Sequence, residues 1–283
     1  MTSDATSTPW QALPDGAGTV LAVAGDVRVA AQSGRLRAWR GLDPLWSVEV
    51  GEPNPARPTV LADRVLWGPY AVDLRTGAVT GLPFARPPDG YAQTAHAWSA
   101  DGSLAVTAGR RRDRGGSAPP AAAWVLGESG PRTLWTGADV PPLAVFADAL
   151  FITVGHRNPD IYGRDGTLLR SLDGVTSAQR IDGRAGRLLV VEAGLLSVWD
   201  PVSGVLLGRR SGGWVDACLT PDGESVLAAD MAGDLHRVSV ADGLVGGVDI
   251  PAEGPVIGVA TDGEVLFASF ARLPALRVRA LQS

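Results

Sequence analysis

Lysine is absent from this chain: all 25 basic residues are arginine. A GC-rich genome that favours arginine codons accounts for the bias without any function, but the chemical consequence stands. Schiff-base catalysis, a phosphate-loop lysine and a lysine general base are excluded. Cysteine occurs once, at Cys218, which rules out an intramolecular disulfide and any cysteine cluster for zinc. It stands in the alternating run Asp216-Ala217-Cys218-Leu219, where a buried, inert thiol is expected. The three histidines, His96, His156 and His236, are too far apart for a His-Glu-x-x-His pair or a compact zinc set. No apolar run is long enough to span a membrane. Met1 to Pro9 lacks the basic and apolar regions of a secretory leader, so a cytoplasmic protein with no membrane partner is expected. A net charge of −5 argues against nucleic acid as a general partner.

Catalytic signatures are also missing. There is no Gly-x-Ser-x-Gly elbow, no phosphate-binding loop and no Gly-x-Gly-x-x-Gly between a strand and a helix. Nine aspartates stand before glycine, as Asp15-Gly16, Asp89-Gly90, Asp101-Gly102, Asp165-Gly166, Asp173-Gly174, Asp182-Gly183, Asp222-Gly223, Asp242-Gly243 and Asp262-Gly263. Spent on turns, they leave no clustered carboxylate pair for acid–base work. The expectation is a protein that is not an enzyme, with no catalytic residue, metal site or cofactor to nominate.

Those Asp-Gly pairs are what the chain does have. Both residues tolerate the positive φ of a type I′ hairpin turn, and between them lie short apolar runs with almost no helical spacing. The 36 glycines and 21 prolines fit a chain of turns. The clearest repeat starts at Trp214. Strands over Trp214 to Leu219, Ser225 to Ala229, Leu235 to Val240 and Leu244 to Ile250 alternate with turns, which is one four-stranded propeller blade. Units of this kind start near residues 19, 57, 92, 142, 177, 214 and 255. The unit near 92 carries an insertion between its second and third strands. The last unit has only three strands, Val256 to Ala260, Glu264 to Phe270 and Leu276 to Leu281. Residues 8–14, around Trp10, belong to no unit and are predicted to supply its fourth. The predicted fold is therefore all-β: one domain over residues 1–283, a seven-bladed propeller closed by its N-terminal strand.

Leu196-Ser197-Val198-Trp199-Asp200-Pro201-Val202-Ser203-Gly204 resembles the V-W-D-x-x-T-G stretch of WD40-like repeats. Leu219-Thr220-Pro221-Asp222-Gly223 through Ala228 is similar to their S-P-D-G-x-x-L-A stretch, as is Trp98-Ser99-Ala100-Asp101-Gly102-Ser103-Leu104-Ala105. Leu45-Trp46-Ser47-Val48-Glu49-Val50-Gly51 and Val72-Asp73-Leu74-Arg75-Thr76-Gly77 look more like the quinoprotein-like repeat, in which a tryptophan of one blade docks on its neighbour. The Gly-His pair of eukaryotic WD40 repeats is not repeated from blade to blade: it occurs once, as Gly155-His156. The resemblance implies the propeller fold and leaves the subfamily open.

The nine tryptophans are scattered over most blades at strand positions, the distribution expected of blade-to-blade packing rather than a stacking site. One charge run stands out: Arg110-Arg111-Arg112-Asp113-Arg114, followed by glycines and prolines. Guanidinium groups there would suit carboxylates or phosphates on a partner, although a solvated loop is the plainer reading. In a propeller the links between second and third strands share one face with the inter-blade crossovers. That places Tyr70, Arg110, Arg111, Arg112, His156, Arg157 and Arg272 on one predicted partner-binding face, with Asp230 in the corresponding link of its own blade. His96 and His236 fall within strand patterns and are read as structural. The expected function is a scaffold or adaptor subunit of a bacterial assembly, monomeric by itself, that binds another protein with an acidic surface. The alternative is a quinoprotein-like or lactonase-like propeller that binds or transforms a small molecule over its central channel.

Overall fold

A computed structural model describes residues 9–14, 18–51, 57–99, 101–112, 119–126, 130–137, 143–145, 150–153, 158–163, 165–245, 247–250, 252, 254–271 and 276–281. They form an all-β propeller of four-stranded antiparallel blades. Strand β1 is Gln11–Ala12. Next come β2 Val20–Ala24, β3 Val27–Gln32, β4 Arg35–Arg40 and β5 Asp43–Glu49, then β6 Thr59–Val60, β7 Arg64–Trp67, β8 Tyr70–Asp73 and β9 Val79–Gly81. The third group is β10 Tyr91–Trp98, β11 Ala105–Arg111, β12 Ala121–Leu126 and β13 Arg132–Gly137. It is followed by β14 Leu143–Val145, β15 Leu150–Thr153, β16 Asp160–Gly163 and β17 Leu168–Ser171. The fifth is β18 Ala178–Arg184, β19 Arg187–Glu192, β20 Leu195–Trp199 and β21 Leu206–Ser211. The sixth is β22 Trp214–Leu219, β23 Ser225–Asp230, β24 Leu235–Ser239 and β25 Gly247–Ile250. Last come β26 Val256–Thr261, β27 Val265–Phe270 and β28 Leu276–Ala280. Each group of four is one sheet in sequence order, and the last sheet runs β26-β27-β28-β1. In that sheet Gln11 pairs with Val278 and Ala12 with Arg277.

Burial explains why the period-two pattern is clear in some strands and lost in others. The second strands, such as β19 and β23, are buried almost throughout, because a neighbouring blade covers each of their faces. Residues there are correspondingly apolar and small, as in Val226-Leu227-Ala228-Ala229. The outermost strands β5, β9 and β17 are largely exposed, and they expose apolar side chains such as Val79, Leu168 and Leu169 as well as polar ones.

The packing role of the aromatics is visible in one recurring position. A register shift falls next to Trp39, Trp124, Tyr162 and Trp199, each in the third strand of its sheet. Such a bulge twists the strand and re-aims the side chain. Trp124 packs with Leu66 and Ala71 of the preceding sheet, Tyr162 with Val106 and Ala108, and Trp199 with Ile161 and Leu172. The expected blade-to-blade packing is thus what these tryptophans do.

The Asp-Gly turns differ from expectation in their mechanism. Glycine takes positive φ in seven of the pairs, but no aspartate does. The aspartate instead accepts hydrogen bonds across the turn: Asp222 from Thr220 Oγ1 at 2.6 Å and from the Glu224 N–H at 2.9 Å. Asp200 and Asp73, in the Asp-x-x-Ser/Thr-Gly turns, do the same with Val202 and Ser203, and with Arg75 and Thr76. These bonds favour the charged form and hold Asp73, Asp200 and Asp222 below the ordinary carboxylate range. Asp182-Gly183 is not a turn at all, since both residues lie inside β18. The hairpin that follows uses Ala185 and Gly186, at φ 48° and 64°, the pair of left-handed residues that a type I′ turn needs. Asp15-Gly16 lies outside the described residues.

Candidate functional site

Two of the predicted face residues meet in one cleft. Blade strands β6 to β9 are short, four residues at most, whereas β10 and β11 have eight and seven. At about 3.3 Å per residue the β10–β11 hairpin is nearly twice as tall as its neighbour, and the step between them makes a wall. The crossover from β9 to β10 climbs that step through a single 3-10 turn, Pro83–Ala85, then Arg86-Pro87-Pro88 and the Asp89-Gly90 turn. Prolines fix φ and stiffen this ascent. The resulting cleft holds about 390 Å³ and is lined by Gly51, Pro69, Tyr70, Arg86 to Tyr91, Gln93 and Arg112.

The two tyrosines and the end of β11 are held by definite contacts. Tyr70 begins β8 after the Gly68-Pro69 link, with its hydroxyl against Gly51, where a Cβ would come within 2.9 Å. Tyr91 donates its hydroxyl to the Pro119 carbonyl at 2.9 Å and meets Trp124 edge-on at 4.8 Å. The Arg112 N–H donates to the Gly90 carbonyl at 2.9 Å, which ties the end of β11 to the crossover. Arg112, Arg86 and Asp89 are exposed at the mouth, and no salt bridge joins these three among the described residues. Gln93 lines the cleft with its amide oxygen buried.

Of the predicted face, Tyr70 and Arg112 therefore share the cleft. Arg110 and Arg111 lie on β11 beside it, Arg110 opposite Ala92 and Ala121. His156, Arg157 and Arg272 lie outside the described residues, as do Asp113 and Arg114. Asp230 sits at the end of β23 as expected, but it is committed: it accepts the Asp234 N–H at 2.9 Å and pairs with His236 Nε2 at 3.2 Å. His236 Nδ1 faces Asp249 at 2.7 Å, and its ring meets Trp214 edge-on at 5.8 Å. Both ring nitrogens are engaged by carboxylates, which ties β23, β24 and β25 together and fits the structural role expected of this histidine. Burial works against the Asp230 carboxylate, yet the bond from His236 prevails and keeps its pKa below the ordinary value.

A second polar centre lies at the hub. Arg57, just before β6, donates to the Leu21 carbonyl at 3.0 Å, the Val259 carbonyl at 2.6 Å and the Ala217 carbonyl at 3.1 Å. Its remaining partner is the Asp216 carboxylate, at 3.0 and 3.1 Å. Asp216 also accepts the Val259 N–H at 2.9 Å. One guanidinium thus binds the innermost strands β2, β22 and β26 at once. Burial alone would lower the Arg57 pKa; the facing Asp216 carboxylate outweighs it and holds the group above its ordinary value. Cys218, two residues on, is fully buried and its thiol is pushed up to about 12 by burial, as an inert thiol should be.

Sequence reasoning missed Arg86, Tyr91 and Gln93, which sit in or beside a crossover rather than a second-to-third-strand link. It also missed the Arg57–Asp216 pair. The charge of Arg86 beside Pro87-Pro88 was a usable signal; nothing local marks Arg57. No protein-family model matches the chain, and no curated protein is similar to it.

Proposed function

We propose that this chain is a non-enzymatic adaptor, a seven-bladed WD40-like propeller that holds another protein on the face carrying Tyr70 and the Arg110 to Arg112 run. The observation that carries the reading is the cleft between neighbouring blades, where Tyr70 and Arg112, 42 positions apart in the sequence numbering, line the same wall-and-floor step. Exposed arginines and tyrosines are the side chains that anchor protein interfaces, and a rigid ring presents them at no ordering cost to the backbone.

Ring closure by the N-terminal strand belongs to the same proposal. It is supported by the pairing of β1 with β28, by the approach of β26 to β2, and by Trp39, which meets Phe267 of the last sheet at 6.5 Å. The competing reading, a small molecule over the central channel, is disfavoured by Arg57. Its guanidinium already occupies the hub, with its bonds satisfied by the protein itself.

Affinity capture with the tagged protein from cells that express it naturally tests the proposal. One partner should be enriched by the wild type and lost with the triple variant Arg110→Ser, Arg111→Ser, Arg112→Ser, and its retention should weaken with salt. Equal recovery by both proteins would move the interface elsewhere and sink the assignment of this face.

A further inference from the structure

We propose that the cleft between β8 and the β10–β11 hairpin takes a short, extended, acidic segment of a partner polypeptide. The inference rests on the adaptor reading above, shares Tyr70 and Arg112 with it, and adds Arg86, Asp89, Tyr91 and the prolines of the crossover. Its chemistry comes from two kinds of wall. Tyr70, Tyr91, Pro69, Pro87 and Pro88 give a rigid aromatic and proline-lined surface, the kind that receives an extended backbone because little side-chain entropy is lost on contact. Arg86 and Arg112 stand exposed at the mouth, and Asp89 is the one carboxylate among the lining residues. The cleft is thus locally cationic on a chain whose net charge is −5. That reversal selects acidic side chains and disfavours basic ones, since Arg forks match carboxylates bidentately while like charges repel.

An isolated anion such as phosphate would use the arginines and leave the apolar walls uncovered. A peptide uses both, and a cleft of about 390 Å³ has room for one. The Arg112 N–H bond to Gly90 ties the end of β11 to the proline-stiffened crossover that carries Arg86. The charges are therefore presented by stiff backbone rather than by a loop that must first be ordered.

The test is fluorescence anisotropy with a labelled octapeptide of alternating glutamate and glycine, its ends blocked. Controls are the same peptide with glutamine in place of glutamate, and inorganic phosphate as competitor. Wild-type protein should bind the acidic peptide, with affinity that falls as salt is raised, and should not bind the glutamine form. The variant Arg86→Ser with Arg112→Ser should bind roughly tenfold more weakly. Asp89→Asn should bind about twofold more tightly, a gain that misfolding would not produce, and circular dichroism checks both variants.

No binding to the wild type, equal binding of the glutamine peptide, or unchanged affinity in both variants would overturn the proposal. Full displacement by phosphate at equal concentration would do so too, leaving a simple anion site. The two readings fail separately. If peptide binding is absent while partner capture still depends on Arg110 to Arg112, the adaptor face survives and the cleft is not its anchor. If the peptide binds as described but capture is indifferent to those residues, the cleft stands and the wider face does not.

Discussion

Arg57 and Asp216 are 159 positions apart in the chain and 3.0 Å apart at the hub. The guanidinium reaches the carboxylate because β6 begins where the innermost strands converge. Asp216 retains 5% of its side-chain exposure and Arg57 22%, so neither charge is well hydrated. A pair this desolvated tolerates the interior only while both members are present. The three carbonyls that also accept from Arg57 belong to β2, β22 and β26, which makes the pair a fastener between three blades.

Removing one member should therefore be costly. Asp216→Ala leaves a buried cation unpaired and is expected to lower unfolding free energy by roughly 3–5 kcal/mol. Arg57→Met together with Asp216→Leu should cost less than the sum of the single changes, since no charge is then stranded. Urea unfolding of the four proteins in a double-mutant cycle measures this. Additive losses would mean that the two side chains do not depend on each other.

A second prediction concerns acid. His96 is buried beside Trp98, at 5.4 Å between rings, and burial lowers its pKa to about 3. In the unfolded chain the same imidazole titrates near its ordinary value of about 6.5. Between those values the unfolded state holds a proton that the folded state does not, so its contribution is fully present above about pH 6.5 and is lost as pH falls. The loss is up to about 1.4 kcal/mol per pH unit. The turn aspartates Asp73, Asp200 and Asp222, depressed in the fold, also lose their contribution with acid, but only as pH approaches the unfolded carboxylate value of about 4. Urea midpoints between pH 7 and pH 5 should fall in the wild type and stay nearly level in His96→Gln. Parallel slopes would show that His96 is not the group responsible.

Much of this architecture could be read from residues alone, and the physical reasons divide cleanly. Strand alternation and Asp-Gly turns are local, so the strand over Trp214 to Leu219 emerged with its bounds unchanged. The orphan segment around Trp10 was legible because the last unit lacked a strand. Asp182-Gly183 misled because the dipeptide reports tolerance of a turn, not its presence, and the neighbouring Arg184-Ala185-Gly186-Arg187 turn took that role. The bulges that shift register at Gln93/Ala95, Ala178/Arg180, Trp214/Asp216 and Val256/Gly258 carry no sequence mark, and they set which residues the innermost strands turn inward. Tyr70 and Arg112 could be placed on one face by strand order. The step that makes their cleft depends on the unequal heights of two blades, which strand order does not contain.

The proposed ring closure gives a third prediction. Leu13 is buried with its N–H donating to the Leu276 carbonyl at 2.8 Å, Trp39 Nε1 donates to the Pro14 carbonyl at 3.0 Å, and Trp10 meets Phe270 at 5.4 Å. Deleting residues 1–14 removes all of these and exposes the edge of β28, an invitation to aggregate. The truncated protein should melt at lower temperature and scatter light on heating. An unchanged melting temperature would show that the N-terminal strand does not hold the ring.

The single thiol offers the last prediction and a probe for the first. Cys218 is fully buried in β22, and with its pKa pushed up to about 12 only a minute fraction would be thiolate at pH 8 even with access. Iodoacetamide should therefore leave the native protein unlabelled and label it fully in denaturant. Under native conditions the slow residual reaction requires opening of the innermost strand, and its rate then reports the free energy of that opening. Because Cys218 lies two residues from Asp216, loosening the hub should expose it. Asp216→Ala is expected to speed labelling well beyond its effect on any distant site, with mass spectrometry of the alkylated peptide as the readout. Labelling of the native wild type at the rate of a free thiol would contradict the buried placement. Equal rates in the wild type and Asp216→Ala would mean that the strand opens without breaking the Arg57 fastener.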